Sequence, residues 1–177
     1  MDLQQQVPAT QNFTKGSLAA GTTTTISTTG TITYAIKGKL YTKTAITNGA
    51  TPTTDYSTGA AFKPIPIPNT APNLALGYGS VYTVGFDHSG NVKVIQGGIE
   101  ALDVSGNFIN APQFGGLGPQ GSGTTDNDFC PIGYILVQLG STAVATWTFG
   151  TNNLSSVTGV TYTFVDVSTL PDRPQVS

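Results

Sequence analysis

His88 and Cys130 are the only histidine and the only cysteine in this 177-residue chain, so chemistry that needs a general base or a thiolate has to begin with them. A Ser-His-Asp hydrolase requires an imidazole held firmly between a hydroxyl and a carboxylate. His88 lies in Asp87-His88-Ser89-Gly90-Asn91, a run of turn-forming residues between two apolar stretches, where a ring is exposed and poorly held. A turn residue explains it without catalysis. Cys130 precedes Pro131 with no basic neighbour in sequence to lower its pKa, which predicts an inert, buried thiol. A lone cysteine also excludes a disulfide within the chain.

Glu100 and Asp103 are the closest pair of acids that contains a glutamate, as a glycosidase reading would want. Residues three apart on a strand point to opposite faces, so the two carboxyls diverge unless the chain turns between them. Calcium is a second possibility, because Asp87, Ser89 and Asn91, and again Asp103, Ser105 and Asn107, offer oxygens at alternating positions. Neither run has the carboxylate density or the distal Glu of an EF-hand. Asp126-Asn127-Asp128 is denser but has no Gly to wrap it round an ion. Asx turns account for all three, so no catalytic, cofactor-binding or metal-binding residue is assigned. Asn12-Phe13-Thr14 and Asn153-Leu154-Ser155 fit the glycosylation pattern, but residues 1–8 have no basic or apolar export signature, so these asparagines are expected to stay unmodified.

Aromatic residues are the remaining route to a ligand. Trp147 with Phe149, and Tyr162 with Phe164, share strand faces two residues apart, which predicts the inner face of a sandwich rather than a sugar platform.

The elements that must position these residues are strands. No stretch of eleven or more residues has an apolar stripe at helical spacing. Strands are predicted over 22–27, 31–36, 40–46, 81–86, 92–95, 99–102, 132–139, 143–149 and 160–167. Residues 22–27 and 31–36 should form a hairpin about Thr29-Gly30, with Ile32, Tyr34 and Ile36 on its apolar side, and 81–86 with 92–95 a second about 87–91. Long Gly/Pro-rich loops intervene. Pro64-Ile65-Pro66-Ile67-Pro68 lacks alternate amide donors and must lie extended at an edge, as a strap within the chain or a surface for a partner. The outcome is an all-β fold of about eight strands, a β-sandwich or jelly roll, over residues 22–177, preceded by an extended polar arm over residues 1–21.

Charged residues make up only 9% of the chain, against roughly a quarter in an ordinary soluble domain. Such a surface is either built from neutral Thr, Ser, Asn and Gly or covered by neighbours. The net charge of -2 and the lack of a basic stripe argue against nucleic acid, and no apolar run is long enough for a membrane. Lys37, Lys39 and Lys43 read as the solvated face or guarded edge of a strand.

From residue 81 onward the order of motifs is suggestive. A hairpin ending in Val94-Ile95-Gln96-Gly97 leads through a Gly/Pro-rich loop to Cys130-Pro131-Ile132-Gly133-Tyr134-Ile135. Trp147-Thr148-Phe149-Gly150-Thr151-Asn152-Asn153-Leu154 and then Val160-Thr161-Tyr162-Thr163-Phe164 with Leu170-Pro171 follow. This order resembles β-rich accessory virion proteins of tailed bacteriophages, in particular capsid decoration or cement proteins. The resemblance implies a non-enzymatic sandwich, a homo-oligomer assembled as a trimer, seated on the virion and clamping the major capsid protein. Its contact surface is expected at Ile65, Pro66, Ile67 and Pro68 of the strap and at Phe13 of the arm. A receptor- or carbohydrate-binding module of a phage fibre or an adhesin would share the same composition.

Overall fold

The structure, a computed structural model, describes residues 10–68, 77–116 and 128–175. It is all-β, with nine strands: β1 (Gln11–Asn12), β2 (Ala19–Ala20), β3 (Ile26–Ser27), β4 (Ile32–Ile36), β5 (Lys39–Lys43), β6 (Tyr78–Phe86), β7 (Val92–Ala101), β8 (Cys130–Leu139) and β9 (Val160–Asp166). Among the described residues there is no helix.

The four long strands form one antiparallel sheet in the order β7-β6-β8-β9. Its two central strands are apolar on both sides, so both faces of the sheet must be covered. Tyr82, Val84 and Phe86 of β6 enter the larger core, and Val81 enters a smaller core on the opposite face. In β8 the pairing slips between Val84 and Gly85, and the extra residue lets Cys130, Ile132, Ile135, Val137 and Leu139 all reach the larger core. Pro131 is tolerated in a central strand because it sits at this bulge.

Over the larger core lies a layer of short elements. The three-stranded sheet β1-β4-β5 contributes Ile32, Tyr34 and Ile36, the two-stranded sheet β2-β3 contributes Ile26, and loops add Phe62, Ile65, Trp147, Phe149 and Leu154. The opposite face is covered by Leu102, Phe108 and Phe114 from the β7–β8 connection and by Val167 and Leu170 after β9. A polar clasp holds this cover: Arg173 Nη1 donates to Ala111 O (2.9 Å) and Gln175 N donates to Tyr134 Oη (3.0 Å).

Several local expectations change. Residues 22–25 form a turn, with Gly21 N on Thr25 O (2.8 Å), and β3 pairs with β2 instead of β4. The Thr run therefore does not build the expected hairpin; Thr hydroxyls and amides find partners within the loop, Thr22 N donating to Asn48 Oδ1 (2.8 Å). The hairpin of this region joins β4 to β5 through Lys37-Gly38, whose φ values of 51° and 76° are those of a two-residue type I′ turn. Ile32, Tyr34 and Ile36 nevertheless make its apolar side. The expected strands 92–95 and 99–102 fuse into β7, kinked at Gly97-Gly98 where the pairing with Ser80 and Tyr82 shifts. Residues 143–149 form no strand. Only Trp147 pairs, in an isolated bridge with Ile65.

Residues 10–21 are not a free arm. Asn12 is buried in β1, and its side chain donates to Val167 O (3.0 Å) while Leu18 N donates to Asp166 Oδ1 (3.0 Å). Residues 1–9 lie outside the described residues.

Trp147 is the largest side chain of the core, wedged against Tyr82 (5.7 Å between ring centroids), Phe149 (6.0 Å) and Tyr162 (5.9 Å), with Nε1 on Asn153 O (3.0 Å). Trp147→Ala should lower stability by about 3–5 kcal/mol, the usual range for a buried aromatic truncated to Ala. The check is urea unfolding followed by far-UV circular dichroism, with the midpoint falling and the slope unchanged.

Candidate functional site

Two turns of the same sequence type, Asp-x-Ser-Gly-Asn, have the same internal geometry. Asp87 Oδ1 accepts from Ser89 N (2.9 Å) and Asn91 N (2.8 Å), and Asp103 Oδ1 accepts from Ser105 N (2.8 Å) and Asn107 N (2.9 Å). Each turn is closed by a Gly at φ 74° and 85°, Gly90 and Gly106, in the left-handed region that a side chain would disfavour. These bonds engage one carboxylate oxygen of each Asp with the amides of its own turn. They are the cause of the turns, and an ion is not required to explain them.

Burial of Asp87 opposes its ionisation. The bonds from the Asn91 side chain and from the Asn91 and Ser89 amides, together with the Lys93 ammonium, outweigh that cost and hold the carboxyl below the usual range. The Asn107 amide, with Ser105, does the same for exposed Asp103.

The structure brings His88 against Asp128, forty residues away. His88 N donates to Asp128 Oδ1 (2.8 Å), and His88 Nδ1 meets Asp128 Oδ2. Tyr56 Oη donates to Asp128 O (3.2 Å), and Lys93 Nζ lies 3.6 Å from Asp87 Oδ2 and 5.3 Å from the Tyr56 ring centroid. Asp126 and Asn127 lie outside the described residues. An imidazole oriented by a carboxylate is two thirds of a hydrolase triad. Here the ring is 61% exposed, and among the described residues no hydroxyl or thiol bonds to its second nitrogen. What the pair does is tie the β6–β7 turn to the entry of β8. Sequence reasoning weighed the two residues separately because nothing periodic links them.

Cys130 is fully buried, and burial pushes its thiol up to about 12. Glu100 lies on β7 opposite Gly79 of β6, while the Asp103 carboxylate is held by the amides of its own turn, so the two acids do not form a pair. Trp147, Phe149 and Tyr134 are buried, Tyr162 and Phe164 half-buried against the core. Asn12 has its amide nitrogen engaged inside the fold and cannot receive a glycan there, whereas Asn153 is exposed.

Of the five residues expected to meet a partner, Phe13, Pro66 and Ile67 are exposed, while Ile65 and Pro68 are buried. Ile65 is consumed by its mutual bonds with Trp147 (2.8 and 3.1 Å). Other large apolar side chains stand in solvent unannounced by any pattern: Leu40, Val104, Ile109 and Val144, the last two valines being 85% (Val104) and 84% (Val144) exposed. An open groove of about 510 Å³ runs beside Val104, lined by Asn107, Gln138, Ser141, Thr161 and Thr163 among others, all neutral except Asp103.

Asp87→Ala removes the acceptor of the Ser89 and Asn91 amides from a buried carboxylate and should cost about 1–3 kcal/mol, with a smaller loss for the less buried Asp103→Ala. Because the folded-state carboxyl of Asp87 is lowered, its stabilisation is complete above the unfolded value of ~3.9 and fades as pH falls through the folded one. The gap between wild type and Asp87→Ala, read from thermal melts, should be constant from pH 7 to 5 and shrink below pH 4. A thiol reagent such as Ellman's should label Cys130 only as fast as the chain unfolds, and labelling of the native chain within minutes would contradict the burial argued above.

Comparison of the chain with protein-family models, with curated proteins and with solved structures finds no match.

Proposed function

We propose that this chain is a non-enzymatic structural protein of a virion, a capsid decoration or cement protein that binds the major capsid protein and stabilises its lattice as a homo-oligomer. The observation that supports it best is the character of the exposed surface. Few charges are present, and Phe13, Leu40, Ile67, Val104, Ile109 and Val144 all stand in solvent. Contacts made by such a surface rest on apolar burial and neutral hydrogen bonds, which salt screens little. The His88–Asp128 pair, without a nucleophile bonded to it among the described residues, fits a role in holding a turn.

The groove lined by Asn107, Gln138, Ser141, Thr161 and Thr163 supports a second reading, a receptor- or carbohydrate-binding module, since amides and hydroxyls are what a sugar would bond.

Imaging purified particles separates the two. Density for the chain on the head lattice supports decoration, and density at a tail or fibre tip supports receptor binding. With empty heads in a pelleting assay, Phe13→Ser and Ile67→Ser should each weaken binding by roughly tenfold or more, as expected from about 1.5–3 kcal/mol for an apolar side chain buried on contact. Melting temperatures should stay near wild type because both side chains are exposed. Unchanged binding by the double variant would count against these positions as the docking surface.

A further inference from the structure

Sheet edges invite additional strands, and most edges of this molecule are visibly closed. On β5, Lys39 and Lys43 project on the same side as Tyr41, toward the β4 face that bears Ile36 and Ile32, and Lys39 Nζ sits 5.4 Å from the Tyr41 ring centroid. Charges turned inward at an edge strand deter pairing. On the strap, Pro64 and Pro66 flank Ile65 and have no N–H to offer on the side away from Trp147. The outer edge of β7 is already bonded: Tyr56 N to Val94 O (2.8 Å), Gln96 N to Asp55 Oδ2 (3.0 Å) and Gly98 N to Gln113 O (2.9 Å).

Among the described residues the outer edge of β9 differs from these. It ends the order β7-β6-β8-β9. Val167 N bonds Ile132 O (3.0 Å) and Gly140 N bonds Gly159 O (2.8 Å), and both pairs continue the β8–β9 register. The alternation of an antiparallel ladder then assigns Thr161, Thr163 and Val165 to the bonds with β8, and turns the N–H and C=O of Tyr162 and Phe164 outward. Among the described residues nothing bonds those outward groups. Val160-Thr161-Tyr162-Thr163-Phe164-Val165 has no charge, no Pro and no Gly, and all six residues are at least partly exposed. Asp166, the one acid of the strand, is engaged by Leu18 N.

We propose that β9 pairs antiparallel with β9 of a second copy of this chain across a twofold axis through Thr163. Two outward-facing residues must oppose each other, which limits the register to a centre on a residue, and a centre on Thr163, the middle of Val160–Asp166, pairs the strand along its whole length. Centred on Thr163, Tyr162 of each copy exchanges both main-chain bonds with Phe164 of the other, giving four bonds, and Thr161 meets Val165. The two Thr163 side chains face one another at a non-bonded position, on the side of the open groove bordered by Val104. A second copy fits because Val160–Val165 holds only uncharged β-branched and aromatic residues and Asp166 falls opposite Val160, so the strand meets no like charge in its own image. The contact is isologous and closes as a dimer, unlike the threefold ring that the family resemblance implies. It stands apart from the capsid reading: loss of the dimer and loss of lattice binding are separate observations.

Light scattering on the full-length chain should give twice the 18.2 kDa chain mass at ~100 μM. Thr163→Lys and Thr163→Glu each place like charges opposite one another and should each give single chains. Mixed in equal amounts, they should recover the dimer mass. Thr163→Cys checks the same pairing without a charge: Cα atoms about 4.5 Å apart at a non-bonded pair permit a disulfide, so mild oxidation should give a covalent dimer on a non-reducing gel, with Cys130 buried and silent. The inference is overturned if the wild type has the mass of one chain or of three, if its dimer survives both charge variants, or if Thr163→Cys does not cross-link.

Discussion

The pairing of β6 with β8 is the constraint on which the remaining structure depends. Both strands are apolar on each side, so the sheet they centre cannot leave a face in water. One face sends Tyr82, Val84, Phe86, Ile135 and Val137 toward the short sheets and the Trp147 loop, and the other sends Val81, Tyr134 and Leu136 toward the β7–β8 connection and the C-terminal segment. Elements that would not be stable alone, such as the two-residue strands β1, β2 and β3, exist because they are lids on that sheet. Asn12 shows how closely: a buried amide is tolerated there because its nitrogen and main chain bond the segment that follows β9.

With no helix among the described residues to cover its sheets, a protein of this kind must manage strand edges one by one. Lysines turned across β5, prolines in the strap and loop segments laid along β7 are three chemically different solutions within one small chain. The same scarcity of charge that gives a neutral surface leaves few residues for this purpose. The seven lysines and arginines of the sequence are thus unevenly valuable, two of them serving the β5 edge and Lys93 supporting Asp87.

Much of this was legible in the residues. Period-two alternation located β4, β6, β8 and β9 to within a few residues, and the turn chemistry at 87–91 and 103–107 was read correctly from Asp, Ser, Gly and Asn. Propensity failed where tertiary context overrode it. The threonines of 22–25 are good strand formers, yet they bend, because Asn48 Oδ1 and the Thr25 and Thr51 hydroxyls bond that backbone as a loop. Residues 143–149 have strand composition but give a single bridge, since the strap offers only Ile65 for pairing. The proximity of His88 to Asp128 was invisible, as it arises from the register of β6 against β8 together with a turn geometry. Exposure of Val104 and Val144 was equally unreadable: local sequence states that a valine is apolar and is silent on whether anything covers it.

Low charge acquires a physical meaning only after burial is known. A charged fraction of 9% is compatible with a chain that hides its apolar side chains entirely and meets water with Thr and Asn alone. This one buries its largest aromatics, Trp147, Phe149, Tyr82 and Tyr134 among them, while leaving Leu40, Ile67, Val104 and Val144 uncovered. Solubility of the isolated chain gains nothing from those four, and the core does not use them. A surface that retains apolar side chains while omitting the charges that would discourage association is what supports the proposal of a protein that acts by contact. The guarded edges of β5 and β7 set limits on the association proposed above, leaving it to faces and to β9, whose outer edge is unbonded among the described residues.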